Sequence, residues 1–218
     1  MESIYLKITE YLLQEDKENA VISTLEALAN GDIDIVSLYE KVLTPALTDI
    51  ASYNHSQEIS IWQEHLRTSI VRTIIECCYP YVLKEKMQKY KHKNDKKVIV
   101  SCPAGEYHEI GPRMVADFFT LHGYHAIYVG GNTPKEEMLA ITNVHQPHYI
   151  VLSVSNYYHL VAAKRTIENI KSNYAHSLKI IVGGYAFKRN PNAYLEVGAD
   201  ILLHHFSDIE NLEKETFK

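Results

Sequence analysis

Through the first 83 residues apolar side chains recur at spacings of three and four, the period of helices that bury one face. Ile4, Ile8, Tyr11 and Leu12 mark one helix, and Val21, Leu25 and Leu28 mark a second that Asn30-Gly31 stops. Leu38, Val42, Leu47 and Ile50 mark a third; Ile61, His65, Ile70 and Ile74 mark a fourth, with Pro80 close to its end. Short connections between such helices predict antiparallel packing in a small bundle.

After residue 97 the period changes. Val98-Ile99-Val100-Ser101-Cys102 is a β-branched run, followed by a helical pattern over 111–122, a strand at His125–Val129 and a helix starting near Pro134. Tyr149–Val154 reads as a third strand, 160–174 as a helix, Lys179–Val182 as a fourth strand and Ala199–Leu203 as a fifth. Strands that alternate with helices predict an α/β domain: a doubly wound, Rossmann-like sheet of five parallel strands, covered on both faces. Such sheets bind ligands beyond the carboxyl ends of their strands, so the turns there are where chemistry is expected.

Charge sharpens the division. Residues 1–83 carry 5 basic and 13 acidic side chains, 84–97 carry 7 and 2, and the rest carry 10 and 12, so the net charges are -8, +5 and -2. The expected organisation is a helical domain over 1–83, a charged linker or helix end over 84–97, and an α/β domain over 98–218. The 218 residues are 46% hydrophobic, enough to bury a core and to exclude a disordered chain. The total of -5 gives no basic footprint for nucleic acid or an anionic membrane. No apolar run approaches the roughly 20 residues that span a bilayer, and the opening Met-Glu-Ser-Ile-Tyr-Leu-Lys lacks the regions of a signal peptide. A cytoplasmic protein with no membrane partner is expected. Cys77, Cys78 and Cys102 form neither a disulfide framework nor a Cys-x-x-Cys motif, so three reduced, buried thiols are expected.

The turn after the first strand reads Pro103-Ala-Gly-Glu-Tyr-His-Glu-Ile-Gly111. It places Glu106, His108 and Gly111 in one loop, and a carboxylate two residues from a histidine can hold one ring nitrogen while the other ligates a metal. Neither dinucleotide nor phosphate glycine signatures occur, and the second histidine of a His-Glu-x-x-His zinc site is replaced by Pro112. Ser153-Val-Ser155 ends the third strand, with 41 residues between Gly111 and Ser153, and Gly183-Gly184 follows the fourth, with 27 residues between Ser155 and Gly183.

These three motifs, in order and in register, resemble the cobalamin-binding domain family, whose pattern is Asp/Glu-x-His-x-x-Gly, Ser-x-Leu/Thr and Gly-Gly. Ser155 departs from it, standing where the family usually has Leu or Thr. The resemblance implies cobalamin as cofactor, with His108 as lower axial cobalt ligand and the cofactor's dimethylbenzimidazole tail displaced into a slot beside the sheet. Glu106 would orient His108, Ser153 and Ser155 would line the slot, and Gly183 and Gly184 would let backbone approach a bulky group.

The helical segment Asn54-His-Ser-Gln-Glu-Ile-Ser-Ile-Trp-Gln-Glu-His65 resembles the cap of the light-sensing cobalamin-dependent repressors of the CarH/LitR type. Over the whole chain, what those repressors have and this sequence lacks is an amino-terminal helix-turn-helix domain, so direct DNA binding is not expected. Carried over, Glu64 and His65 face the upper side of the corrin, and Glu64 accepts hydrogen bonds from an adenosyl ribose. His55 is the candidate upper axial ligand after loss of the upper group. Asn54 occupies the family's tryptophan position with far less apolar area; Trp62, eight residues on, either takes over the capping role or is a core residue.

This resemblance implies a sensor dependent on alkylcobalamin, with adenosylcobalamin favoured over methylcobalamin or hydroxocobalamin, responding to light by a change of homo-oligomer or of an unidentified regulatory protein partner. The alternative is a corrinoid carrier that moves methyl groups between partner methyltransferases. Carriers usually show Asp where this chain has Glu106, and Glu58-Ile-Ser-Ile61 with Glu64-His65 favours the sensor at this stage. A third reading, a regulator that kept the fold and lost the cofactor, is opposed by the intact Glu106, His108, Ser153 and glycine pair.

Overall fold

The computed structural model describes residues 2–55, 60–89, 95–188, 190 and 192–214, with the side chains of 50–55, 213 and 214 outside that description. The chain divides into two compact units between Met87 and Gln88.

The first unit is helical: α1 (Glu2–Leu13), α2 (Lys17–Asn30), α3 (Ile35–Leu38), α4 (Thr44–His55) and α5 (Ile61–Lys89). Asp16 caps α2 by accepting the Asn19 N–H at 3.0 Å, and Gly31 ends it in the left-handed conformation at φ 78°. The apolar positions that predict a single third helix are distributed over α3, a π turn at Tyr39–Leu43 and α4. Ile8, Leu12, Leu28, Leu38, Val42, Ile70 and Ile74 are buried, as their period requires.

Two details of the pattern are corrected. Pro80 does not end the fourth helix, which runs nine residues further to Lys89. A proline removes one backbone bond, but tertiary contacts hold the extension: Val82 is buried, the Tyr81 hydroxyl reaches Leu25 O at 3.4 Å, and Glu85 Oε1 accepts the Ile35 N–H at 2.9 Å. Ile61 and His65 lie on the exposed side of α5, whose buried set begins at Arg67.

The second unit is an α/β sheet of five parallel strands, β1 (Lys97–Pro103), β2 (His125–Thr133), β3 (Tyr149–Ser153), β4 (Lys179–Gly183) and β5 (Ile201–Leu203), in the order β2-β1-β3-β4-β5. Between them run α6 (Ile110–Leu121), α7 (Lys135–His145), α8 (Leu160–Asn173) and the short α9 (Ala193–Glu196), and α10 (Phe206–Lys214) follows. Ile99, Ile150, Leu152, Ile180 and Val182 pack with Met138 of α7 and Ala163 and Ile167 of α8 in one cluster. Phe118 of α6 meets Phe206 of α10 edge to face at 4.9 Å. The final helix α10 has no counterpart in the sequence reading, and β2 runs four residues beyond the predicted end. Its register on β1 slips after Tyr128, with Val100 opposite Tyr128 and Ser101 opposite Gly130. That bulge carries the Val129-Gly-Gly-Asn132 segment past the apolar run that marked the strand.

Strand order reverses at β1. The chain leaves it toward β2 on one side and returns to β3 on the other, which makes the carboxyl ends of β1 and β3 the topological switch point. The turns that follow these two strands contain the Glu106-x-His108 and Ser153-x-Ser155 motifs.

The glycine pair has a reason within the chain itself. At Gly184, φ is 104° and a Cβ would overlap Val154 O and lie 3.0 Å from Val154 N; at Gly183 it would lie 3.0 Å from Leu203 O. Gly111 differs, since a Cβ there would meet nothing within 4 Å. Gly184→Ala is therefore expected to cost the α/β unit about 3 kcal/mol through backbone strain and overpacking. Gly111→Ala, in helix α6, is expected to leave stability within about 1 kcal/mol of wild type, on the favourable side. Urea unfolding of both variants checks the contrast.

Candidate functional site

The turn after β1 is built around one fully buried carboxylate. Glu106 is 0% exposed, and burying a carboxylate costs several kcal/mol unless donors surround it. They do. Its Oε1 accepts the backbone N–H of His108 at 3.1 Å and lies 2.5 Å from His108 Nδ1. Its Oε2 accepts the backbone N–H groups of Ser155 and Asn156, both at 2.9 Å, and lies 3.2 Å from His159 Nδ1. Burial by itself would push the Glu106 carboxyl up, but these hydrogen bonds together outweigh it and hold the group well below the ordinary value of 4.5. The carboxylate is ionised, so His108 Nδ1–H donates to it.

The consequence for His108 is chemical. Its side chain is 66% exposed against 0% for Glu106, so the imidazole stands outward on a buried anchor. With Nδ1 as the protonated nitrogen, Nε2 carries the lone pair, the form in which histidine ligates a metal. One imidazole held this way supplies one ligand. That suits a metal whose other positions come from a macrocycle, and so the donor chemistry fits a corrinoid.

The neighbouring turns are tied to the same loop. Asn132, at φ 50°, donates its backbone N–H to Glu106 O at 2.8 Å and accepts the Gly105 N–H on Oδ1 at 2.8 Å. Glu109 Oε2 accepts the Gly131 N–H at 3.3 Å, and the Tyr128 hydroxyl donates to Glu109 O at 2.9 Å. Cys102 is buried beneath the loop, with Sγ 3.8 Å from His108 O. Burial first, and then the Glu106 and Glu109 carboxylates, push its thiol up to about 12, so it stays a neutral core group. Of the three reduced thiols Cys78 is also buried, whereas Cys77 is partly exposed and departs from the expectation.

The structure brings Glu106, His108 and Ser155 into contact, with Ser155 acting through its backbone rather than its hydroxyl. Ser153 is buried at the end of β3 in register with Gly183 of β4, and Gly184 packs on Val154. Gly111 is the second residue of α6, and its open side is not used by the chain's own packing. In the helical unit Glu64 is half-buried and His65 exposed. Trp62 is 62% exposed, which removes the core reading for it. The side chains of Asn54 and His55 lie outside the described residues, as do residues 56–59 with Glu58 of the cap motif.

Sequence reasoning missed Asn132, Asn156 and His159. Asn132 and Asn156 announce themselves only as turn residues, and His159 lies 53 positions from Glu106, so nothing local links them. Missed too were four exposed tyrosines on the turns after β1, β3 and β4: Tyr107 at 71%, Tyr157 at 61%, Tyr158 at 84% and Tyr185 at 58%. Among the described residues no group of three or more His, Cys, Asp or Glu side chains could hold a metal ion, and no helix is long and apolar enough to cross a membrane.

Two family models match the chain. One, described as a B12 binding domain, covers residues 96–211, and a second of the same description covers residues 5–79. No curated protein matches it. Among solved structures the monomethylamine corrinoid protein of Methanosarcina barkeri is similar at 18% identity and a TM-score of 0.83, over 99% of both chains. A cobalamin-binding protein of Desulfitobacterium hafniense DCB-2 is similar at 18% identity and a TM-score of 0.51, over 95% of this chain and 96% of that one. The methanol:cobalamin methyltransferase complex of Methanosarcina barkeri is similar at 16% identity and a TM-score of 0.51, over 99% of this chain and 80% of its own.

Because Glu106 is ionised in the fold at pH values where a free Glu is protonated, its contribution to stability is complete above the ordinary value of 4.5. It is withdrawn as pH falls below that value toward the lowered one. Thermal melts of the apoprotein from pH 7 to pH 3 are expected to drop in this window. Glu106→Gln is expected to be less stable at pH 7, by about 3 kcal/mol, because it puts an amide against N–H donors, and to show a flatter acid dependence.

Proposed function

The chain belongs to the B12 binding domain family, and from that premise we propose that it is a corrinoid carrier, passing a methyl group between partner methyltransferases. The observation that carries the reading is the end-to-end likeness of the chain to a corrinoid protein, helical segment and sheet together. A methyltransferase complex among the other similar structures supports it further. The light-sensing reading drew on the cap segment 54–65, part of which lies outside the described residues, and none of these likenesses favours it.

In this reading His108 would ligate the cobalt and Glu106 would hold it in the ligating tautomer. Ser153, Ser155, Gly183 and Gly184 border the slot for the cofactor's tail, and Gly111 leaves room beside it. Bound cobalamin supplies a cobalt centre that accepts and donates a methyl group. The chain's own task is to keep an imidazole available without a fixed charge: the ionised Glu106 balances any positive charge that His108 acquires, and its buried bonds keep it from turning away. Tyr107, Tyr157, Tyr158 and Tyr185 offer aromatic faces to a large, amphipathic ring system. Trp62, Glu64 and His65 would be further candidates for contact with the cofactor, as would Asn54 and His55.

The test uses the full chain loaded with cobalamin, reduced, and mixed with a panel of corrinoid-dependent methyltransferases and a labelled methyl donor such as methylamine or methanol. Label is expected on the protein-bound corrinoid, with at least a tenfold loss in His108→Ala. Failure with every such enzyme, together with a light-dependent change in elution volume, would overturn the carrier in favour of a regulator.

A further inference from the structure

The parallel strands all begin at the edge opposite the Glu106–His108 turn, and those beginnings are basic. The ladder sets Lys97 of β1 beside His125 of β2, and Tyr149 of β3 beside Lys179 of β4. His148, just before Tyr149, is fixed between β1 and β4: its N–H donates to Lys97 O at 2.9 Å, its carbonyl accepts the Lys179 N–H at 3.0 Å, and its Nδ1 accepts the Lys97 N–H at 3.2 Å. His125, Lys97, His148 and Lys179 therefore stand in one row across four adjacent strands, and all four are exposed. With neighbouring strands about 4.8 Å apart the row is about 14 Å wide, and β1 puts it about 20 Å from the turn that holds His108.

The charge of this row is not cancelled at its own edge. Lys97 Nζ donates to a carbonyl, His145 O at 3.0 Å, and among the described residues no carboxylate pairs with Lys97 or Lys179. Lys96 adds a cation, with Nζ 5.6 Å from the centre of the Tyr149 ring, and His145 and His176 stand in the segments that lead into β3 and β4. Of the acids at the strand starts, Asp200 is taken up by Lys171 at 2.8 Å and by the Ile180 N–H at 2.7 Å, which leaves Asp95. Residues 84–97, which lead into β1, carry +5 with Asp95 counted. Val144, 76% exposed beside His145, gives the edge an apolar point. Nucleic acid matches this surface poorly: two of the four groups in the row are imidazoles, Tyr149 and Tyr174 are buried and offer bases no stacking face, and the whole chain is -5. A protein face rich in carboxylates matches it.

We propose that the amino edge of the sheet is a docking surface for a carboxylate-rich face of one partner methyltransferase, which holds the carrier there while the opposite edge presents the cofactor to the other. The inference rests on the carrier reading for the identity of the partner. A carrier brings its cofactor to two enzymes in turn and leaves each again, so a contact that retains it has to lie away from the cofactor and has to be weak. Attraction between exposed charges does this: it speeds encounter and raises the local concentration of carrier while dissociation stays fast. The two edges lie at opposite ends of the same strands, so either can be covered without the other.

The experiment uses the full chain loaded with cobalamin and the donor and acceptor methyltransferases with which it exchanges a methyl group. Wild type, Lys97→Glu/Lys179→Glu, Lys97→Gln/Lys179→Gln and Lys97→Arg/Lys179→Arg are compared by sedimentation with each enzyme alone and with both. Wild type and the Arg variant are expected to form a ternary complex at about 20 mM salt that dissociates at about 500 mM. The Glu variant is expected to lose it, with the carrier concentration for half-maximal coupled transfer raised about tenfold and kcat of each half-reaction unchanged; the Gln variant falls between. Thermal melts and the cobalamin spectrum show that fold and cofactor edge are intact, and the Gln variant decides where the Glu variant does not fold. A ternary complex that the Glu and Gln variants form as well as wild type would overturn the proposal, as would its absence in wild type. Salt-sensitive self-association that the Glu variant loses would overturn it in favour of a second copy of the chain, and tighter binding to single-stranded RNA than to either enzyme would overturn it in favour of nucleic acid. Methyl transfer without a ternary complex defeats the docking surface and leaves the carrier standing, whereas no transfer with any methyltransferase defeats the carrier reading and the partner named here with it.

Discussion

A single constraint organises the carboxyl edge of the sheet: an ionised carboxylate sits where no water reaches it. A group in that position is stable only if its oxygens are saturated with donors, and the donors must come from more than one element because a single turn cannot surround it. Glu106 meets the condition by drawing on its own turn for Oε1 and on the turn after β3 for Oε2. Its backbone carbonyl takes a further bond from Asn132 on β2. Three adjacent strands are thus tied together at the place where the strand order reverses. The tight geometry around it follows: Gly105 makes room for His159, and Gly184 makes room for the Val154 carbonyl at the end of β3.

The same constraint explains how an outward-facing group can be precise. His108 is mostly exposed, and exposed side chains ordinarily sample several rotamers. Here the ring is attached at Nδ1 to a carboxylate that is itself immobile, so rigidity is transmitted from the core to the surface through one hydrogen bond. Any group that binds this ring meets a side chain already ordered, because the fold bears the ordering cost before binding.

Much of this was legible in the sequence, for identifiable reasons. Helix and strand differ in apolar period, so the change after residue 97 located the second unit, and the turns after β1, β3 and β4 followed from strand positions. What the period could not show was anything decided by tertiary contact. Pro80 reads as a stop because propensity is local, yet Val82 and Glu85 hold the helix beyond it. The end of β2 carries Gly130, Gly131 and Asn132, which read as a turn and are strand only because β1 bonds to them across a bulge. Of the site, the motif residues were found and His159 was not, since its partner lies 53 positions away and no spacing rule connects them. The glycine pair was found for a reason the structure revises: its lack of side chains is already required by Val154 and Leu203.

The revision bears on how function is inferred. At the first motif position Glu in place of Asp weighed against a carrier, as if the residue name carried the role. The structure shows what the position does: one oxygen must reach the histidine two residues on while the other reaches the turn after β3, and Glu106 achieves both. Either acid can meet such a requirement if the turn adjusts by the length of one methylene. The identity of the acid therefore reports on loop geometry, and the separation of carrier from sensor belongs to the helical unit and its partners. The full-length likeness to a corrinoid protein spans the helical segment as well as the sheet, and what it shows is that the two share a fold.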